Sequence, residues 1–143
     1  AYGSADILNE CRFSLLSLAL VASEWTKANV EKVVYTDQPD YFSLYGVQTM
    51  ELPPAKVKEW RGNIDFVHRV KIKMLDDFFA KNPSDTTVLY VDTDTYFLQD
   101  IKSLFDQIGP HTFLMHTPEG TLHSGKNLIL KKIHRFLKKH DFG

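Results

Sequence analysis

Residues 87–97 read TVLYVDTDTYF, an apolar and β-branched run that stops abruptly on alternating aspartate and threonine. The content of Thr87, Val88, Leu89, Tyr90 and Val91 predicts a central strand buried on both faces. On either side of it the apolar period switches between 2 and 3.6, the pattern of a mostly parallel sheet covered by helices, so the expected fold class is α/β. In an open sheet of that kind ligands bind beyond the carboxyl ends of the strands. Asp92 and Asp94 stand at that edge.

Working outward, Ser4 is placed to cap a first helix through Ile7, Leu8, Cys11, Leu15, Leu18 and Ala19. Residues 31–36 (EKVVYT) predict a buried strand ending on Asp37, before the turn-forming QPDY. A further strand over 46–52 is closed by Pro53 and Pro54, and a helix over 64–81 is stopped by Asn82, Pro83 and Ser84. Downstream, a short helix near 101–108, a strand over 111–116 and an amphipathic helix over 126–140 complete the pattern. The first helix begins so early that a strand before it is represented at most by Ala1, Tyr2 and Gly3.

A chain of 143 residues fits a single domain over 1–143, large enough for a real core. Hydrophobic residues at 43% and charged residues at 24% are ordinary globular composition. A formal net charge of -1 argues against general nucleic-acid binding, which needs an excess of Lys and Arg. The lone Cys11 reads as a small buried hydrophobe and cannot form an intrachain disulfide. The longest apolar run, around 15–22, is too short to span a bilayer, and a cytoplasmic protein is the default expectation.

Residues i and i+2 of an extended segment face the same way, so Asp92 and Asp94 can converge on one cation. Oxygen-only ligands favour a hard ion, Mg²⁺ or Mn²⁺, which keeps positions open for phosphate oxygens. Without a cation two close carboxylates repel. The other reading of DTDT is a turn that ends the strand, because Asp and Thr favour turns without any metal.

These residues resemble a GT-A glycosyltransferase, nearest the galactosyltransferase and glycogenin-like branch. The resemblance is carried by HRVKIKMLDDFF (68–79) and VLYVDTDTYFLQDIKSLF (88–105), covers 66–105, and extends more loosely to YGSADIL (2–8) and VVYTD (33–37). It implies a Rossmann-like nucleotide-diphospho-sugar transferase fold, a nucleoside-diphosphate sugar as donor with a UDP-sugar favoured, and Mn²⁺ or Mg²⁺ held by Asp92 and Asp94. The implied activity is transfer of a hexose to an acceptor hydroxyl, on a glycan or another molecule. Among donor contacts, Arg69 matches the arginine of that branch. The family's third metal ligand, a histidine, has no match here. The acceptor-binding part falls beyond residue 143, so the resemblance implies an incomplete nucleotide-sugar-binding part of an enzyme.

On a helical wheel Val67, Val70, Met74, Leu75 and Phe78 form one apolar arc, and Lys71 falls inside it. That lysine either reaches toward the donor's phosphates or sugar, or snorkels to water. Asp37 either accepts hydrogen bonds from a base or ribose, or forms an Asx turn before Pro39. Tyr2 and Gly3 precede a helix N-terminus, where backbone N–H groups favour an anion and a glycine lets a donor approach. His111, His116 and His123 lack metal-ligand spacing. The last helix carries Lys131, Lys132, Arg135, Lys138 and Lys139 opposite an apolar side. Such a helix either packs on its domain or contacts an anionic membrane face peripherally.

Three rivals share parts of the pattern. A haloacid-dehalogenase-type phosphatase also ends a buried strand on D-x-D, with the first Asp as nucleophile, but has a small β-branched residue where Tyr96 stands. A nucleotidyltransferase carries a glycine-rich basic signature that Gly3 alone does not supply. A non-catalytic nucleotide-binding module would retain the fold without turnover.

Overall fold

The computed structural model of the chain describes residues 1–82, 87–109, 114, 131, 132, 135, 138 and 139. It divides into two compact units, Ala1–Ile108 and Gly109–Gly143. The first is a mixed α/β unit: α1 (Ala5–Val21), α2 (Glu24–Asn29), β1 (Val33–Thr36), a 3-10 turn (Pro39–Phe42), β2 (Gln48–Glu51), α3 (Pro54–Arg61), α4 (His68–Lys81) and α5 (Lys102–Phe105). β1 and β2 pair in parallel, from Val33 opposite Gln48 to Thr36 opposite Glu51.

The strand period of 2 divides the core between the two faces of this small sheet. Tyr35 points to one side and packs with Leu52, Val57, Trp60 and Val70, so α3 and α4 cover that face. Val34 points to the other and packs with Leu8, Cys11 and Phe42, so α1 covers that face. Cys11 is buried there, as expected of a small hydrophobe.

Local chemistry explains where the elements start. The Ser4 hydroxyl accepts from Ile7 N at 3.4 Å and caps α1, as its sequence predicts. Ser23 caps α2, a helix the sequence reading did not anticipate, by accepting from Thr26 N at 3.3 Å. Pro54 opens α3 rather than only closing β2, since proline is favoured in a helix's first turn.

Helix α4 starts at His68, four residues later than expected. Gly62 ends α3 at a φ of +68°, and Asp65, at a φ of +52°, is ion-paired to Arg61 at 2.8 Å. These turns occupy the residues the periodicity assigned to the helix.

Residues 87–91 correct a larger expectation. They form no assigned strand, Thr87 and Tyr90 are exposed, and their backbone makes no hydrogen bond among the described residues. A strand buried on both faces needs a partner at its edges, and this segment and β1 line one open cleft without pairing.

The short helix expected at 101–108 is a single turn, α5. The expected strand over 111–116 and the three histidines at 111, 116 and 123 lie outside the described residues. Of the helix expected over 126–140, Lys131, Lys132, Arg135, Lys138 and Lys139 are helical and exposed. Among the described residues no helix is long and apolar enough to cross a membrane.

Candidate functional site

The aspartate motif sits in a tight turn. Thr95 N donates to the Asp92 carbonyl at 3.2 Å, which puts Thr93 and Asp94 at the two central positions. Aspartate is favoured at the first position of such a turn. The turn reading of DTDT is therefore met, and the extended geometry expected to align Asp92 with Asp94 is replaced by a bend. Both residues nevertheless line the same cleft.

Side chains of α1 and α2 hold the segment that follows. Thr93 Oγ1 approaches Glu10 Oε2 at 3.4 Å, and Phe97 N donates to Ser17 Oγ at 2.9 Å. Farther on, Asp100 Oδ2 accepts from Ser23 N and from Thr26 Oγ1, both at 2.7 Å, while its Oδ1 accepts from Lys102 N at 2.8 Å. The backbone N–H of Ser23, with the other donors, holds the Asp100 carboxyl down at about 2. Seven residues of helix from Glu10 to Ser17 rise about 10 Å. Four extended residues from Thr93 to Phe97 reach at most about 14 Å. The turn and the residues after it are thus laid along α1.

Asp92 is engaged by two donors. Lys71 Nζ lies 2.6 Å from its Oδ1 and 2.9 Å from its Oδ2, and the Tyr90 hydroxyl donates to Oδ1 at 2.8 Å. The Lys71 ammonium, aided by the Tyr90 hydroxyl, keeps the Asp92 carboxyl below the usual carboxylate range. Partial desolvation of its hydroxyl, together with the hydrogen bond to the Asp92 carboxylate, pushes the Tyr90 phenol up. Lys71 thus finds its anionic partner within the chain, at Asp92.

The cleft beside this cluster has a volume of about 1100 Å³, and Tyr2, His68, Lys71, Tyr90, Asp92 and Asp94 are among its lining residues. A shallower groove of about 580 Å³ runs along α1, and Thr93 and Asp94 border it as well.

Asp37 and Gly3 are brought together: Gly3 N donates to Asp37 Oδ2 at 3.1 Å. Gly3 takes a φ of +94°, which a residue with a Cβ rarely adopts, so glycine is required for this approach. The turn after β1 is made by Thr36, whose Oγ1 accepts from Gln38 N at 3.0 Å. That frees Asp37 from the Asx-turn role. Its Oδ1 is enclosed and accepts no hydrogen bond among the described residues. Neither Asp37 nor Gly3 lines the large cleft.

Arg69 lies elsewhere on α4. Its guanidinium rests against the Cα of Gly62, where any side chain would overlap it, and it does not line the cleft. Lys71, two residues on, points to the motif instead.

The sequence reading missed Tyr90, Glu10, Ser17 and Asp100. Tyr90 had a readable signal, since it stands two residues before Asp92 in an extended run and so faces the same way. The other three act across 77 to 83 residues of chain, and no local pattern announces them.

The donor set suits a hard cation in kind. Asp92 and Asp94 offer only carboxylate oxygens, and Asp94 makes no hydrogen bond among the described residues. Among those residues no third His, Cys, Asp or Glu joins them in a ligand group. No protein-family model, curated protein or solved structure matches the chain.

Proposed function

We propose that this protein binds a nucleoside-diphosphate sugar beside Asp92 and Asp94 and belongs to a metal-dependent hexosyltransferase of the GT-A type, with a Rossmann-like sheet. The observation that carries the reading is the cluster itself. An acidic turn, a lysine and a tyrosine converge at the rim of a cleft large enough for a nucleotide sugar.

In this reading Asp92 and Asp94 hold Mn²⁺ or Mg²⁺. When bound, the metal supplies positive charge that stabilises a diphosphate leaving group. Lys71 exchanges its hold on Asp92 for the donor's phosphates, since its ammonium is half-exposed and its stem is long. Tyr90 keeps Asp92 oriented by donating to Oδ1. Tyr2 lines the cleft and offers a ring to the nucleoside, while Asp37, outside the cleft, holds the segment that carries Tyr2 by accepting from Gly3 N. Arg69 contributes to donor binding only if it leaves Gly62. Transfer then joins the hexose to an acceptor hydroxyl.

The test is calorimetry of the chain with UDP, GDP and their hexose conjugates, with Mn²⁺ and with EDTA. Metal-dependent binding of one nucleotide series supports the reading. Absence of metal-dependent binding for every nucleotide overturns it. Hydrolysis of aryl phosphates, lost on Asp92→Asn with metal binding retained, would assign a phosphatase instead.

A further inference from the structure

The two carboxylates of the acidic turn are not equivalent. A carboxylate offers about four lone-pair positions. On Asp92, Lys71 Nζ takes one on each oxygen, at 2.6 and 2.9 Å, and the Tyr90 hydroxyl takes a second on Oδ1 at 2.8 Å. Asp94 lines the same cleft and makes no hydrogen bond or ion pair among the described residues. One half of the pair is open, and the other is filled by a positive charge that the chain itself supplies.

Helix α4 aims that charge. Its other lysines pair within the helix, Lys73 with Asp76 at 3.0 Å and Lys81 with Asp77 at 2.6 Å. Lys71 has no acid three or four residues away on α4 and reaches across to the motif instead. Its ammonium also stands 5.8 Å from the centre of the Tyr90 ring. The side chains of Lys71 and Asp92 are 38% and 48% exposed, so the pair sits at a wet rim, where an ion pair is weak and exchangeable. A flexible four-carbon stem lets the ammonium leave without any movement of the helix.

We infer that Lys71 is a built-in stand-in for the divalent cation, holding it off Asp92 until an anion draws the ammonium away. A metal ion arriving alone finds Asp94 free and has to compete for Asp92, where two positive charges on one carboxylate repel. A diphosphate offers oxygens to the metal and to the ammonium at once. Metal and diphosphate then each raise the affinity for the other by the same factor. The inference rests on the metal and nucleotide reading of the site and adds its regulation: the two ligands enter as a couple.

The experiment titrates Mn²⁺ into the full chain, first alone and then with UDP, and follows the free ion by electron paramagnetic resonance. The natural chain is compared with Lys71→Met and Lys71→Gln, which remove the charge, and with Lys73→Met, which removes a charge from the same helix at a lysine paired with Asp76. Both Lys71 variants are expected to bind Mn²⁺ alone about fivefold more tightly than the natural chain, the factor an exposed ion pair is worth, and Lys73→Met to match the natural chain. UDP is expected to tighten Mn²⁺ binding about tenfold or more in the natural chain and by a smaller factor in the Lys71 variants. Mn²⁺ affinity without nucleotide that neither Lys71 variant raises, or that Lys73→Met raises equally, overturns the inference, even where UDP still tightens binding and the nucleotide reading stands. Tighter Mn²⁺ binding in the Lys71 variants with no response to UDP in any protein supports the stand-in and overturns the nucleotide reading.

Discussion

The β1–β2 half of the first unit and the segment 87–100 both rest against α1, yet they are held in different ways. The first is tied by a parallel ladder and two core clusters in which Phe42 and Leu52 are almost fully buried. The second has no ladder among the described residues and is held by the side chains of Glu10, Ser17, Thr26 and Lys71 and by the backbone N–H of Ser23. Backbone pairing is cooperative and sequence-tolerant, whereas side-chain anchors are individually replaceable. The contrast teaches that stability resides in one half and the candidate chemistry in the other.

The largest effect that can break this contrast is Trp60→Ala. Trp60 is buried against Tyr35, Leu52, Val57 and Val70. Its truncation should cost about 3–5 kcal/mol in urea unfolding and melt the whole unit. A loss confined to residues 87–100 would reverse the assignment of roles.

Asp94→Ala should do the opposite. Asp94 is exposed, so unfolding should be unchanged, while metal-dependent nucleotide affinity falls more than about 100-fold by calorimetry. A fall in stability with affinity retained would make Asp94 structural.

Smaller still is Ser17→Ala, which removes the acceptor of Phe97 N. It should cost about 1 kcal/mol and speed exchange at the Phe97 amide while leaving Val34 protected. Uniform loss of protection would mean the two halves unfold as one.

The smallest effect concerns acid. The folded Asp100 carboxyl, at about 2, lies below its ordinary value of about 3.9. A depressed carboxylate contributes stability above the ordinary value, and that contribution disappears as pH falls toward the folded one. The difference in denaturation midpoint between the natural chain and Asp100→Asn should therefore be constant above about pH 4 and shrink between about pH 4 and pH 2. A difference independent of pH would show that Asp100 holds the segment as a neutral acceptor.

Much of the first half was legible in the sequence because its signals are local. Ser4 announces the cap of α1, the run VVYT announces β1, and the apolar arc with Val70, Met74 and Phe78 announces α4. The α/β class follows from that alternation. Residues 87–91 were misread because β propensity reports what a strand prefers and not whether a neighbour stands beside it. Lys71 stood out as a charge inside an apolar arc, and the structure gives it an anionic partner. Arg69 has no such local anomaly, and its contact with Gly62 depends on how α3 ends. The bend at Asp92–Thr95 was readable as turn chemistry. What it holds is a matter of three-dimensional convergence.

The central claim is that Asp92 and Asp94 together hold a divalent cation for a nucleotide diphosphate. Its most direct test is electron paramagnetic resonance of Mn²⁺ titrated into the chain with UDP, compared with Asp94→Ala. The account predicts that the free Mn²⁺ signal falls in stoichiometric proportion with the natural chain and nucleotide, and stays at its protein-free level with the variant. An equal fall for both proteins, or none for either, would contradict it.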